Sequence, residues 1–244
     1  MILNHAVFNA TAFASFLKPS PFFVSILRQP ESQLRSTFNF FDKWTSIDDF
    51  VRMLDAGRHE QPVYHYVNFQ ANDLGFYEAG GRPNSSSEEV KSWIAALKQS
   101  FEFPRGLMMI TEFFDEGLVL LKHRLNLDLP AVTYIEMKKH EGAYEEFNAT
   151  TLEWLRAHAA NIDLQLYRHF NESFQELWAG HVSEDLAALR RANARMAEAC
   201  AETDCPEEMT IDAGWNISYA NRFRRRQGLA VCDPSRRRRA VLDE

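Results

Sequence analysis

Several features are scarce in this sequence of 244 residues, and each absence excludes a class of protein or site. Its 3 cysteines are too few for a disulfide-dense scaffold or a four-cysteine zinc site. No apolar run approaches about 18 residues, so no transmembrane helix is predicted, and residues 1–4 lack the basic start of a secretory signal. No Gly-x-x-x-x-Gly-Lys-Ser/Thr motif occurs, which argues against a nucleotide kinase-like P-loop enzyme.

Positive charge is also in short supply, since 27 Lys and Arg stand against 34 Asp and Glu for a net charge of −7. Eight arginines fall between Tyr219 and Glu244, which makes that segment +5 and leaves −12 on the remaining 218 residues. An acidic body argues against nucleic-acid binding, which needs a basic surface. The basic segment fits either a localisation or anion-binding patch or a solvated, partly disordered tail.

Apolar residues are plentiful, at 45% of the sequence with 19 Phe, so the chain can build a sizeable core. The length suits one domain, predicted over residues 1–200, with a basic tail over 201–244. Short apolar runs predict strands at 22–27, 107–111 and 131–137. Helices predicted between them imply an α/β fold with a short parallel sheet.

Helices are predicted from local signals. Pro30 favours a helix start, and capping boxes at Ser46–Asp49 and Ser86–Glu89 begin two more helices. The second of these is predicted to be amphipathic, because apolar residues follow its capping box at helical spacing: Val90, Ile94, Leu97 and Phe101. A short helix is expected over 115–125, and the pattern beyond about 141 is wholly helical, over 147–158, 163–180 and 184–200. For residues 56–85 we predict a long, partly ordered excursion between the regular elements.

The most informative stretch is the strand ending at Leu27, followed by Arg28-Gln-Pro30 and by Ser36. A strand delivers Arg28 to its carboxyl end, where ligands sit in open α/β sheets, and the next helix directs free N–H groups to the same place. A guanidinium and a hydroxyl meeting there would form a phosphate clamp. Arg28 could instead simply pair with Glu31 or cap a carbonyl.

This segment resembles the 3′-phosphate-binding segment of sulfotransferases that use 3′-phosphoadenosine 5′-phosphosulfate (PAPS). The resemblance lies in a strand, an Arg-x-Pro sequence after it, and a Ser eight residues after the Arg. Three further stretches, Asn4–Asn9, Ile110–Lys122 and Leu166–Phe174, make residues 2–195 resemble the galactose-3-O-sulfotransferase family, including its galactosylceramide sulfotransferase branch. The resemblance implies a P-loop-like sulfotransferase domain with helices on both faces of the sheet. It also implies PAPS as co-substrate, no metal, and a galactose-terminated glycolipid or glycan as acceptor.

By that resemblance, Arg28 and Ser36 hold the 3′-phosphate of the donor. His5 is the candidate general base, by analogy with a histidine similarly spaced in uronyl 2-O-sulfotransferases, because an imidazole can take the proton of an attacking sugar hydroxyl. His65 is a rival base, although it could simply pack among aromatics. Glu112 is a further candidate, for which a structural partner role is also open.

The family also has an upstream strand with a Lys/Thr/Ser-rich loop for the 5′-phosphosulfate, and before it a membrane anchor. We find nothing like that loop here, although Lys138 and Lys139 could supply charge. We therefore expect an N-terminally incomplete donor site, with membrane attachment only through a segment absent from this chain. A non-catalytic luminal fragment that keeps the fold is the alternative reading.

Five Asn-x-Ser/Thr sequons, at Asn9, Asn84, Asn148, Asn171 and Asn216, exceed the about one or two expected by chance. The excess favours a luminal chain, which agrees with the Golgi residence of the family, or else the sequons are unoccupied. Any pairing among Cys200, Cys205 and Cys232 leaves one thiol over.

Overall fold

The computed structural model describes residues 7–17, 21–40, 46–57, 67–135, 146–179 and 184–201. The chain divides into two compact units, and each is described by itself below. The first comprises Met1–Arg124 with His140–His181, and the second comprises Leu125–Lys139 with Val182–Glu244. In the described ranges, no helix is both long and apolar enough to cross a membrane.

Helices make up most of the described structure. In chain order they are α1 (Ala10–Phe16), α2 (Pro30–Phe40), α3 (Ile47–Gly57), α4 (Phe69–Asp73), α5 (Ser87–Phe101), α6 (Phe114–Leu125), α7 (Leu129–Val132), α8 (Ala149–Trp154), α9 (Asn161–Ala179) and α10 (Glu184–Ala201). A 3₁₀ turn over Thr111–Phe113 precedes α6, and one π-helical turn over Leu155–Ala159 follows α8. The predicted start of α2 at Pro30 and both predicted capping signals are confirmed: Ser46 Oγ accepts from Asp49 N–H, and Ser86 and Glu89 form a complete capping box.

The sheet consists of two parallel strands in the described part of the chain, β1 (Phe23–Leu27) and β2 (Gly106–Ile110). Phe23 pairs with Gly106 at one end, and Leu27 pairs with Ile110 at the other. The predicted short parallel sheet is therefore confirmed, with each strand displaced by one residue or less at its ends. Two parallel strands in this order require a long crossover, which the helices between them provide.

The third predicted strand, over 131–137, is wrong for the residues that can be compared. Residues 131 and 132 end helix α7, and residues 133–135 form no strand. Pro130 lies in the first turn of α7, where proline is tolerated, and Thr133 Oγ1 donates to Leu129 O at 2.9 Å. A short apolar run cannot be assigned to strand or helix by periodicity alone. Residues 136 and 137 lie outside the described ranges.

The core of the first unit surrounds β2, in which all five residues are buried. Helices α5 and α9 pack against this strand, each through an apolar stripe at helical spacing. The buried residues of these stripes are Val90, Ile94, Leu97 and Phe101 in α5, and Ile162, Leu166, Phe170 and Phe174 in α9. The predicted amphipathic α5 is confirmed down to these four positions.

Residues 67–76 pack into the first unit and form an ordered part of the partly ordered excursion predicted over 56–85. Val67, Ala71, Leu74 and Phe76 are all buried. The turn that begins the segment is held by Asn68, whose backbone N–H donates to Ala159 O at 2.7 Å. The partner is 91 residues away in the chain, so no local pattern could indicate the contact. Residues 58–66 lie outside the described ranges.

Candidate functional site

The carboxyl end of β1 is tied to the residues that follow β2. Thr111 Oγ1 donates to Leu27 O at 3.0 Å, one step beyond the last strand pair. The Gln29 N–H then donates to Glu112 Oε1, also at 3.0 Å. Two side chains that follow β2 therefore fix the backbone on either side of Arg28.

Arg28 itself is held from another direction, by the side-chain amide of Gln70 in α4. The Arg28 N–H donates to Gln70 Oε1 at 2.7 Å, and Gln70 Nε2 donates to Arg28 O at 2.8 Å. With its neighbours held by Thr111 and Glu112, three consecutive residues are anchored where β1 ends. This is the end of the sheet at which open α/β proteins bind ligands.

The guanidinium of Arg28 is half-buried and makes no hydrogen bond or ion pair with any residue in the described ranges. The possible pairing of Arg28 with Glu31 is wrong, because Glu31 Oε1 lies 2.6 Å from Arg156 Nε. The hydrogen bond from Arg156 lowers the pKa of Glu31 below its ordinary value. Arg156 thus engages Glu31, the acidic residue nearest to Arg28 in sequence.

Ser36 lies on α2, six residues after Pro30 and therefore about 9 Å farther along the helix axis. Leu34 and Phe38 are buried in a second apolar cluster. The Ser36 hydroxyl is half-buried and forms no hydrogen bond within the part of the chain that the structure describes. Ser32 and Ser36 lie four residues apart within α2, which places them on one side of the helix, whereas Arg28 precedes the helix.

The amino end of α2 differs from the expectation that its N–H groups would all be free for a ligand. Gln29 Oε1 accepts from Ser32 N–H at 2.6 Å, and Glu112 accepts from Gln29 N–H. Pro30 has no N–H to offer. The helix end is therefore largely satisfied by the protein's own side chains, and an anion beside it would depend mainly on Arg28 and Ser36.

Glu112 bridges two elements in this structure. Its Oε1 accepts from Gln29 N–H, and its Oε2 lies 3.2 Å from the hydroxyl of Tyr167 in α9. Burial and the Glu112 charge raise the pKa of Tyr167 to about 12, so the phenol stays protonated and donates. Both carboxylate oxygens are engaged, which supports the structural partner role for Glu112.

A buried polar network behind Arg28 was not indicated by the sequence. Asp163 at the start of α9 accepts from Gln70 N–H at 3.2 Å and from Ala71 N–H at 2.8 Å. In return, Asn68 Oδ1 accepts from Ile162 N–H at 2.8 Å and from Asp163 N–H at 3.2 Å. Each helix start thereby caps the other. Burial raises the pKa of Asp163 to about 7, despite these two bonds.

The remaining predicted site residues, His5, His65, Lys138 and Lys139, lie outside the described ranges. Their roles stay predictions. Among the described residues, no group of three or more His, Cys, Asp and Glu side chains could hold a metal ion.

A cavity of about 340 Å³ lies away from this site, near the amino end of β2. Its lining is mostly aromatic and aliphatic, and it includes the Lys98–Glu102 ion pair at 3.3 Å. Leu107 and Met108 of β2 line it, whereas Arg28 follows the opposite end of the sheet. The cavity and the Arg28 site are therefore separate features of the first unit.

The described sequons differ in their surroundings. Asn84 is exposed in a turn, and Asn9 and Asn148 are exposed N-cap residues whose Oδ1 atoms accept from Ala12 and Thr151. Asn171 lies inside α9 with its Oδ1 buried, which disfavours a glycan there. Asn216 lies outside the described ranges, and occupancy of the others stays a prediction.

Comparison with known proteins gives relatives of one kind. The chain is 29% identical over 217 residues to mouse galactose-3-O-sulfotransferase 3, covering 82% of this chain and 49% of that protein. It is 29% identical over 214 residues to bovine galactosylceramide sulfotransferase, with the same two coverages. It is also 29% identical over 187 residues to human galactose-3-O-sulfotransferase 2, covering 73% of this chain and 45% of that protein. The chain spans about half the length of these relatives.

No solved structure matches this fold significantly. The family model described as Galactose-3-O-sulfotransferase matches residues 1–211, which include both strands, the Arg28 segment and the network behind it. With a family model covering most of its length, this chain belongs to the galactose-3-O-sulfotransferase family.

Proposed function

We propose that this chain belongs to an enzyme that transfers a sulfuryl group from PAPS to the 3-hydroxyl of a terminal galactose on a glycolipid or glycan in the Golgi lumen. Arg28 and Ser36 hold the 3′-phosphate of the donor. The observation that carries this assignment is the partly buried Arg28, whose guanidinium has no partner among the described residues and whose backbone is anchored at three consecutive residues. Family membership and the names of the relatives support the reaction.

In this reaction the galactose hydroxyl oxygen forms a new bond to sulfur, and the bond from sulfur to the donor's 5′-phosphate oxygen breaks. The proton of the hydroxyl passes to a base, for which His5 is our candidate. The leaving 3′-phosphoadenosine 5′-phosphate departs with the electron pair. Arg28 and Ser36 bind a phosphate remote from sulfur, so they contribute donor binding in the ground state and the transition state alike.

The first prediction concerns Arg28. Arg28→Ala removes the charged partner of the 3′-phosphate and should weaken binding of 3′-phosphoadenosine 5′-phosphate by about 2–4 kcal/mol. Isothermal titration on the full chain measures this change. Because the lost contact is equally strong in the ground state and in the transition state, KM for PAPS should rise with a smaller effect on kcat.

Arg52→Ala is the matched control, because Arg52 is an exposed arginine of α3 paired with Asp49. It should bind the nucleotide like the wild type. Unchanged affinity in Arg28→Ala would remove Arg28 from the donor site. A transfer assay with labelled PAPS and a galactose-terminated acceptor separates the enzyme from the non-catalytic alternative, which would bind nucleotide without transferring sulfate.

A further inference from the structure

Arg28 follows the last paired residue of β1, so its backbone lies beyond the hydrogen bonds of the sheet. Leu27 is the last residue of β1 paired with β2, and β2 turns into a 3₁₀ helix at Thr111. The N–H and C=O of Arg28 therefore have no strand partner in the described structure. An unpaired backbone group that is shielded from water costs about as much as a lost hydrogen bond.

Gln70 takes the place of that missing strand partner. Its Oε1 accepts from Arg28 N–H at 2.7 Å, and its Nε2 donates to Arg28 O at 2.8 Å, so one side-chain amide satisfies both groups. Gln70 is only 8% exposed. The two bonds fix the peptide groups on either side of the Arg28 Cα, from which the guanidinium side chain departs.

Gln70 is itself held by the network at the start of α9. Its N–H donates to Asp163 Oδ2, and the next N–H, of Ala71, donates to Asp163 Oδ1. The preceding Asn68 has a left-handed backbone, with φ 49°, and its side chain caps α9 in return. A five-residue helix is thereby anchored to a nineteen-residue one.

We propose that Gln70 is a positioning residue for the anion site, in that its amide clamps the Arg28 backbone and so fixes the point from which the guanidinium reaches the 3′-phosphate. This inference rests on the proposed function, since it assumes that Arg28 binds that phosphate. A backbone segment that is already fixed loses less conformational freedom when the ligand binds, and this difference appears as affinity. Gln70 touches no ligand in this assignment.

Gln70→Met tests the clamp, because methionine keeps the length and apolar volume but makes neither hydrogen bond. Titration of the full chain with 3′-phosphoadenosine 5′-phosphate should show about tenfold weaker binding. Adenosine 5′-phosphate, which lacks the 3′-phosphate, should bind within about twofold of the wild type. In an Arg28→Ala background, Gln70→Met should change binding less than about twofold, because the two residues act through one contact.

Gln165→Met is the matched control, since Gln165 also uses both ends of its amide, toward Ser87 and Asn161, but lies away from Arg28. It should bind both nucleotides normally. The proposal is overturned if Gln70→Met binds like the wild type, if both nucleotides weaken equally, or if its effect persists without Arg28. An Arg28→Ala variant with normal binding would instead contradict the proposed function. If Gln70→Met does not fold, Gln70→Glu, which keeps only the acceptor, is judged by the same criteria.

Discussion

The guanidinium of Arg28 differs from those of Arg35 and Arg156 in having no partner among the described residues. Arg35 pairs with Glu146 at 2.8 Å, and Arg156 pairs with Glu31 at 2.6 Å. Partly exposed ion pairs of this kind contribute little to stability, but the second one engages Glu31, the acidic residue nearest to Arg28 in sequence.

A residue-scale prediction concerns the general base. Replacing His5 with Ala should lower turnover about a hundredfold or more, because a sugar hydroxyl is a poor nucleophile until its proton is removed. Donor affinity should change little, since the base does not contact the nucleotide's 3′-phosphate. Steady-state rates and nucleotide titration on the same preparation measure the two effects separately.

His65→Ala is the control for this experiment. It should retain turnover if His65 packs among aromatics as expected. Normal turnover in His5→Ala together with a loss in His65→Ala would reverse the assignment of the two histidines.

At the scale of elements, the starts of α4 and α9 stabilise each other through Asn68 and Asp163. Short helices are marginal on their own, so α4 depends on such external caps. The cost is a buried carboxyl group, and burial raises the pKa of Asp163 to about 7. Unfolding exposes this group to water and restores an ordinary pKa, so stability depends on pH.

The direction of that dependence follows from the raised pKa. Between about pH 4 and about pH 7, the unfolded chain carries an ionised Asp163 while the folded chain keeps it protonated. The contribution of Asp163 to stability is therefore full below about pH 4, falls by up to about 1.4 kcal/mol per pH unit, and levels off above about pH 7. Urea unfolding of the wild type relative to Asp163→Asn, from pH 5 to 8, should show this decline.

Glu89→Gln is a control of opposite sign. Hydrogen bonds from the backbone and hydroxyl of Ser86 lower the pKa of Glu89 below its ordinary value of 4.5, so its contribution to stability is lost only below the assayed range, and the wild type and Glu89→Gln should keep a constant difference from pH 5 to 8. If the wild type and Asp163→Asn instead keep a constant difference from pH 5 to 8, Asp163 does not titrate in this range and the predicted pKa shift is wrong.

At the scale of the whole molecule, the sequence is acidic over residues 1–218 and basic at its carboxyl end, which lies outside the described ranges. Charge disfavours self-association over most of the surface. Among the described residues of the first unit, the exposed apolar side chains include two of β1, where Val24 is 45% exposed and Ile26 is 43% exposed. In the described structure this strand pairs only with β2, so its other edge carries unpaired backbone groups.

Val24→Thr combined with Ile26→Thr should reduce self-association severalfold. Threonine keeps the β-branched shape favoured in strands while replacing exposed apolar groups with hydroxyls. Sedimentation velocity and light scattering across a concentration series measure the effect. Phe16→Gln, which alters a residue on α1 that is 61% exposed, is the control and should leave association unchanged. A decrease in the control, but not in the double variant, would locate the association at α1.

Local features of the sequence determined much of this protein. The capping box at Ser86, the apolar stripe of α5 and the proline at the start of α2 act within a few residues, so the sequence alone predicted those elements. The parallel sheet and the position of Arg28 at its carboxyl end followed from the order of strand and helix signals. The family was recognisable from a few short stretches, each of which is contiguous in the chain.

Tertiary structure alone decided what surrounds Arg28. Gln70 lies 42 residues from Arg28, and Arg156 lies 125 residues from Glu31, so no local pattern could pair them. The same holds for the mutual caps of Asn68 and Asp163, which order a segment whose composition suggested a loop. An apolar run such as 131–135 suits a strand or a buried helix equally, and the choice depends on what it packs against. Contacts between distant residues depend on how the elements assemble, and that information is not local in the chain.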